Sequence, residues 1–282
     1  MEVQGGLIYC EAERLRGSDI QLDYPSVGAT ENIMLAAVFA EGDTYIRNAA
    51  KEPEVIDLQN YLVSMGVGVS GAGTSVVHIK GGSARLRGVE HTIIPDRIVA
   101  GTYLVAAGMT GGEITLKNVV PEHVGSIISN LRESGCRINI KKSEMHISGP
   151  ARPKAIDIIR TLPYPGFPTD MQAQLVALAS IARGTSIMVE TVFENRFMHV
   201  EEMLRMGANI KLEGRLAVVK GVKKLTGAHV YARDLRGGAA LVLAGLAAEG
   251  ETVVSGVKHI DRGYENIEAK LSQIGAVIRR ED

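Results

Sequence analysis

The chain has 282 residues, of which 45% are hydrophobic, with 31 lysine and arginine residues against 32 aspartate and glutamate residues. This length predicts two domains with sizeable cores, and the net charge of −1 argues against a general nucleic-acid binder. No signal peptide opens the chain and no apolar run reaches about 18 residues, which predicts a cytoplasmic protein that does not enter a membrane.

Along the chain, one pattern recurs four times at intervals of about 70 residues: an apolar helix, a glycine and a strand with alternating apolar residues. The first and last copies are "LAAVFAEGDTYIRN" and "LVLAGLAAEGETVVSG". A second glycine follows the first in each repeat, and both are predicted to end helices, because glycine adopts the left-handed conformation at little cost. The eight positions are Gly42, Gly66, Gly112, Gly135, Gly184, Gly207, Gly250 and Gly275.

Between the two glycines of each repeat, the pattern predicts a strand and then a second helix. The apolar face of this helix is Val55, Leu58, Leu62 and Met65 in the first repeat and Tyr264, Ile267, Leu271 and Ile274 in the last. A hairpin follows, as in residues 208–221 with its turn at Glu213-Gly214. Closing strands are predicted within 84–96 and 223–234. Each repeat is therefore a helix, a strand, a helix and two strands, in an α/β fold.

Both ends of the chain are expected to lie inside a repeat. The segment "GGLIYCEAERLRGSDIQLD" is similar to the tail of a repeat, and "GAVIRRED" contains the first strand of a hairpin without the second. Two explanations are open: the N-terminal segment closes the last repeat, or residues are missing upstream.

One polar residue stands at the start of the first helix in each repeat: Ser26, Asp96, Asp170 and Asp234. All four are residue types that cap helices, and a cap contributes about 1 kcal/mol. The capping role accounts for these residues without any function. The other role open to Asp170 and Asp234 is that of a carboxylate facing a substrate.

Two arginines, Arg196 and Arg262, occupy equivalent positions where a strand leads into the second helix. A helix N-terminus is already positive, so arginines there are predicted to bind an anion; exposed ion pairs are the other interpretation. Arg236, two residues after Asp234, is a third cation. If the repeats pack around a pseudo-symmetry axis, these groups and Asp170 converge on one cleft, where they would hold a phosphorylated anion while a hydroxyl loses a proton.

Cysteine and histidine give no sign of a metal or disulfide site. The two cysteines, Cys10 and Cys136, are far apart in the sequence, and the seven histidines are scattered. Both cysteines are predicted to be structural, and neither a metal nor a cofactor is expected.

Six segments together resemble the UDP-N-acetylglucosamine 1-carboxyvinyltransferase family of enolpyruvyl transferases, with the first in the form common in Gram-positive bacteria. The resemblance covers residues 6–280, nearly the whole chain. The segments are "PSVGATENIMLAA" (25–37), "NAAKEPEV" (48–55), "FPTDMQAQ" (167–174), "TVFENRFMHVEEM" (191–203), "DLRGGAALVLAGLAAEG" (234–250) and "HIDRGYENIEAKL" (259–271).

This resemblance implies an inside-out α/β barrel, in which each domain contains three βαβαββ units around buried helices. It also implies a domain boundary near Ile94. Residues 1–94 are then part of the first domain, and residues 95–282 are nearly all of the second.

The activity implied by the resemblance is transfer of the enolpyruvyl group of phosphoenolpyruvate to the 3-hydroxyl of UDP-N-acetylglucosamine. This reaction is the first committed step of peptidoglycan synthesis, and fosfomycin inhibits the family. Asp170 matches the proposed base, Asp234 matches a carboxylate implicated in proton transfer, and Arg262 matches an arginine that holds phosphoenolpyruvate. The positions that match further substrate-binding residues are Ser26, Val27, Gly28, Val192, Phe193, Arg196 and Arg236.

The sequence departs from the family in its first part. The upstream segment of family members, with a Lys-Asn pair and a reactive-cysteine loop, has no match here, and neither Cys10 nor Cys136 stands in a corresponding loop. The second hypothesis is therefore a non-catalytic fragment that binds nucleotide sugar or a partner chain. An uncovered sheet edge would favour a homo-oligomer or pairing with a separate N-terminal half.

Overall fold

The computed structural model describes residues 2–82 and 85–281. The chain divides into two compact units, one up to Ile94 and the other from Pro95 onward. Within the described part, no helix has the length and apolar character needed to span a membrane.

The first unit contains one four-stranded sheet with two helices. Its elements are β1 (Glu2–Gln4), β2 (Leu7–Tyr9), β3 (Asp19–Gln21), α1 (Val27–Ala37), β4 (Asp43–Arg47), α2 (Pro53–Ser64), β5 (Gly68–Ser70) and β6 (Val76–Lys80). The sheet order is β3-β4-β6-β5, with β3 parallel to β4 and the other neighbours antiparallel. Strands β1 and β2 form a separate antiparallel pair. Met34, Ile46, Val77 and Ile79 are fully buried between the sheet and α1.

The second unit repeats the same arrangement. Its elements are α3 (Arg97–Thr110), β7 (Glu113–Lys117), α4 (Gly125–Glu133), β8 (Arg137–Lys141), β9 (Glu144–Ser148), β10 (Ile158–Arg160), α5 (Gln172–Ile181), β11 (Thr185–Val189), α6 (His199–Arg205), β12 (Asn209–Glu213), β13 (Leu216–Lys220), β14 (Leu225–Thr226), β15 (His229–Tyr231), α7 (Leu235–Leu246), β16 (Ala248–Glu249), β17 (Val253–Ser255) and α8 (Ile267–Gln273). Single turns of 3₁₀ helix cover Pro121–Val124, Thr169–Met171 and Val257–His259.

Helices α3, α5 and α7 form the centre of this unit. They pack on one another, and every residue of α5 is buried. The sheets β7-β9-β8 and β10-β11-β13-β12, with the parallel pair β15-β17, lie outside them. Helices inside and strands outside are the inside-out α/β arrangement that the resemblance implies, and this prediction is confirmed.

Several details differ from the sequence-based predictions. Gly111 rather than Gly112 takes the left-handed conformation that ends α3, because the helix stops one residue earlier. The turn of the β12–β13 hairpin is Gly214-Arg215, one residue later than predicted, since Glu213 still pairs with Leu216.

Two predicted strands are absent from the described residues. No strand forms over 85–94 or 276–281, because an alternating pattern makes a strand only where a second strand offers hydrogen-bonding groups. The first predicted strand also included residue 84 and the second included residue 282, and both of these residues lie outside the described part of the chain. Ile274, predicted on the buried face of α8, is half exposed just beyond the helix end.

Candidate active site

Asp170 differs from the other three residues predicted to cap helices. Ser26, Asp96 and Asp234 each accept a hydrogen bond from a backbone N–H in the first turn of α1, α3 and α7, so these three are caps, as their residue types suggest. Asp170 lies within the 3₁₀ turn before α5, and no side chain caps that helix. Its carboxylate is 39% exposed and contacts arginines instead.

Arg196 is the first of these arginines. It lies three residues before α6, and its Nη2 donates to Asp170 Oδ1. Its Nη1 donates to Thr169 Oγ1 at 3.0 Å, and the guanidinium lies 4.5 Å from the centre of the Phe193 ring. Arg196 is therefore held by Asp170, Thr169 and Phe193, and its ion pair with Asp170 also fits the second interpretation given to this arginine.

Arg236, in the first turn of α7, is the second arginine at Asp170. Its Nε lies 3.5 Å from Asp170 Oδ1, and its guanidinium lies 5.4 Å from the centre of the Tyr264 ring. Burial alone would lower the pKa of Arg236, but the nearby Tyr264 and Asp170 raise it, so the cation persists. Within the described residues its Nε and Nη1 have no hydrogen-bond partner. The site therefore contains a buried cation beside Asp170 whose Nε and Nη1 form no hydrogen bond within the described residues.

The Tyr264 ring packs against the guanidinium of Arg236. The tyrosine is 2% exposed. Its hydroxyl lies 2.9 Å from Thr102 Oγ1 on α3 and accepts from Gln174 Nε2 on α5 at 3.2 Å. Side chains from three repeats therefore meet at Tyr264, next to the guanidinium of Arg236.

Arg262 is next in the chain to Gly263, which lies beside Arg236. It is exposed in the turn before α8, without a hydrogen bond or ion pair to any described residue. A Cβ placed on its neighbour Gly263 would lie 3.6 Å from Arg236 Nη1, so this turn passes beside Arg236.

Asp234 is a cap with its carboxylate next to a buried histidine. Its Oδ1 accepts from Gly237 N at 2.7 Å, and a Cβ on Gly237 would meet both Asp234 Oδ2 and His199 Cβ within 3.0 Å. His199 is 3% exposed. Burial lowers the pKa of His199 to about 4; Asp234 opposes this shift and Arg196 adds to it.

The remaining predicted substrate contacts lie at two places. Ser26, Val27 and Gly28 form the start of α1 in the first unit. Val192 and Phe193 lie in the loop after β11, where both backbone N–H groups donate to Glu190 Oε1. The sequence pattern predicted no site role for Thr169 or Glu190, and it placed Tyr264 only on the apolar face of a helix, whereas Tyr264 precedes α8 and contacts Arg236.

The buried histidine predicts a pH effect on stability. Unfolded His199 takes up a proton below its ordinary pKa of 6.5, whereas the folded chain does not until about pH 4. Keeping His199 neutral therefore costs the folded chain no stability above pH 6.5. As the pH falls from 6.5 towards 4, the free energy of unfolding decreases, and the decrease reaches about 2 kcal/mol at pH 5.

Denaturant unfolding at pH 7 and pH 5 measures this loss. Between pH 7 and pH 5, the free energy of unfolding should decrease by about 2 kcal/mol less in His199→Gln than in the unchanged chain. The exposed His229 provides the control, since His229→Gln should leave the decrease as it is. An equal decrease in His199→Gln and the unchanged chain would contradict the assignment.

The described residues offer no group of three histidine, cysteine, aspartate or glutamate side chains that could hold a metal ion. Cys136 is buried, and burial raises the pKa of its thiol, whereas Cys10 is exposed after β2. The two therefore differ in surroundings, and only Cys136 has the buried position typical of a structural cysteine.

Comparison with known proteins agrees with the fold. The family model described as EPSP synthase (3-phosphoshikimate 1-carboxyvinyltransferase) matches residues 2–271. The solved structure of the enolpyruvyl transferase NikO from Streptomyces tendae is similar with a TM-score of 0.83 at 25% identity, over 95% of this chain and 66% of that one. EPSP synthase from Acinetobacter baumannii shares the fold with a TM-score of 0.69 at 20% identity, over 95% of this chain and 65% of that one.

Curated relatives are more similar in sequence. The UDP-N-acetylglucosamine 1-carboxyvinyltransferase 2 of Caldanaerobacter subterraneus subsp. tengcongensis is 59% identical over 280 residues, which are 99% of this chain and 67% of the relative. The UDP-N-acetylglucosamine 1-carboxyvinyltransferase 1 of Carboxydothermus hydrogenoformans is 55% identical over 280 residues, again 99% of this chain and 66% of the relative. The chain spans about two thirds of the length of these relatives. It belongs to the EPSP synthase family of enolpyruvyl transferases.

Proposed function

We propose that this chain takes part in transfer of the enolpyruvyl group of phosphoenolpyruvate to the 3-hydroxyl of UDP-N-acetylglucosamine, the first committed step of peptidoglycan synthesis. The observation that carries the proposal is the position of Asp170. Its carboxylate is free of any capping bond and lies between two arginines from different repeats. The names of the relatives, at 53 to 59% identity, support UDP-N-acetylglucosamine as a substrate and carboxyvinyl as the group transferred.

The reaction explains why a carboxylate and cations are needed together. Transfer forms a bond between the sugar oxygen and C2 of the enolpyruvyl group and breaks the bond from C2 to the phosphate oxygen. The sugar hydroxyl must lose a proton, and phosphate leaves as an anion. Asp170 would accept the proton, and Arg196 and Arg236 would stabilise the phosphate charge.

The remaining matched residues complete this assignment. Asp234 would act in proton transfer, and Arg262, which has no partner among the described residues, would hold phosphoenolpyruvate. Val192 and Phe193 would line the nucleotide-sugar site, and Ser26, Val27 and Gly28 would lie near the diphosphate. The ion pair between Arg196 and Asp170 would loosen when an anionic ligand binds Arg196, leaving Asp170 to the sugar hydroxyl.

The test is phosphate release by the purified chain with both substrates present. Each substrate is omitted in turn, and 3-phosphoshikimate replaces UDP-N-acetylglucosamine in a parallel reaction. The same reactions are repeated with the part of the Caldanaerobacter relative that this chain does not match added as a separate polypeptide. Release that requires phosphoenolpyruvate and UDP-N-acetylglucosamine supports the proposal. Release with 3-phosphoshikimate instead, or none under any condition, would contradict it.

A further inference from the structure

Glu190 is a buried carboxylate that the proposed reaction does not use. It follows β11 directly and is 1% exposed. Its Oε1 accepts from Thr161 Oγ1 at 2.9 Å, from Val192 N at 2.8 Å and from Phe193 N at 3.1 Å. Its Oε2 accepts from Thr169 Oγ1 at 2.8 Å. Four donors therefore point at one side chain, which suits a carboxylate because it only accepts.

Thr169 links Glu190 to Arg196, and Arg196 in turn contacts Asp170. The Thr169 hydroxyl donates its single hydrogen to Glu190, so its lone pairs face Arg196, whose Nη1 donates to it at 3.0 Å. The other terminal nitrogen of Arg196 holds Asp170. The orientation of the Thr169 hydroxyl thus fixes the guanidinium that pairs with Asp170.

Glu190 also fixes the loop that carries Phe193. The two N–H bonds from Val192 and Phe193 turn the chain sharply after β11. This turn places the centre of the Phe193 ring 4.5 Å from the guanidinium of Arg196. One carboxylate therefore determines two of the three contacts that hold Arg196.

We propose that Glu190 is a positioning residue that holds Arg196 in place against Asp170 through Thr169 and the 192–193 turn. The importance of this placement for ligand binding rests on the proposed function. The hydrogen bonds themselves do not depend on it, so the two ideas can be tested separately.

Three substitutions isolate the interaction. Glu190→Gln keeps the size of the side chain, but its NH₂ group donates and cannot accept, so the donors at one of the two Glu190 oxygens lose their acceptor. Thr169→Val removes the hydroxyl and keeps the shape, and Thr169→Ser restores the hydroxyl. Glu202→Gln is the control, because Glu202 is a second buried glutamate, 2% exposed, and accepts from the backbone N–H of Tyr231 at 3.2 Å.

The first measurement uses the chain without ligand. Side-chain NMR reports whether the Arg196 guanidinium rotates freely, and amide exchange reports on Val192 and Phe193. We expect restricted rotation in the unchanged chain, Thr169→Ser and Glu202→Gln, and averaged signals in Glu190→Gln and Thr169→Val. Exchange at Val192 and Phe193 should accelerate about tenfold in Glu190→Gln only. Restricted Arg196 signals in both Glu190→Gln and Thr169→Val would overturn the proposal, whatever ligand the chain binds.

The second measurement is the affinity for UDP-N-acetylglucosamine by calorimetry, at a temperature where circular dichroism shows every variant folded. Glu190→Gln and Thr169→Val should bind about tenfold more weakly, whereas Thr169→Ser and Glu202→Gln should bind as the unchanged chain does. Equal weakening by Glu202→Gln would show a general loss of stability and overturn a positioning role. If the unchanged chain binds the nucleotide sugar neither alone nor with the added polypeptide of the phosphate-release test, the proposed function fails, and the NMR result alone decides on Glu190.

Discussion

Replacing Asp170 with asparagine is expected to lower the rate of phosphate release by at least about 100-fold, the usual contribution of a general base. Asparagine keeps the size of the side chain and an oxygen that can accept from Arg196, but it cannot take the proton of the sugar hydroxyl. The two arginine contacts that surround Asp170 should persist, so the affinity for the nucleotide sugar should change much less than the rate.

Asp157→Asn is the control for this experiment, because Asp157 is an exposed aspartate before β10 in the same unit. Its rate should equal that of the unchanged chain. Phosphate release from Asp170→Asn within a factor of about 3 of the unchanged rate would remove Asp170 from the role of base, since general-base catalysis contributes far more.

Replacing Leu175 with alanine is expected to lower the free energy of unfolding by about 2–5 kcal/mol. Leu175 is fully buried in α5, the helix that packs against both α3 and α7. It belongs to the large buried core of this unit, so its neighbours have little freedom to close the cavity that alanine would leave. Denaturant unfolding measures the loss as a lower midpoint at unchanged slope.

Leu204→Ala provides the comparison, because Leu204 is 46% exposed on α6. Its substitution should cost less than about 1 kcal/mol. Similar losses for the two leucines would mean that α5 is not the packed centre of this unit.

The repeat pattern identified most helix starts but treated Asp170 as equivalent to the other three positions. Ser26, Asp96 and Asp234 stand sixteen residues before the first glycine of their repeats, whereas Pro168 stands there in the third repeat. Pro168 begins the 3₁₀ turn of that repeat. The two-residue offset of Asp170 was therefore visible in the sequence, and it separates a carboxylate that contacts two arginines from the three residues that cap helices.

Glu190 shows a second signal that was present and unused. Ser186 and Met188 face the core from β11, and Glu190 continues the same alternation as a buried residue. A charged residue at a buried position of a strand needs several partners. The sequence cannot reveal those partners, because Thr161 and Thr169 reach Glu190 only through the packing of separate segments. Contacts across repeats, unlike helix starts, require the three-dimensional structure.

The tyrosine beneath Arg236 has a consequence for how this unit unfolds. In many repeat proteins the units unfold one after another, since each touches only its neighbours. Here one side chain, Tyr264, contacts three successive repeats, through Thr102, Gln174 and Arg236. Detachment of any one of these repeats therefore breaks a contact of Tyr264, the side chain that packs against Arg236. A ligand bound at Arg236 would stabilise the whole unit as one cooperative transition and not the nearest repeat alone.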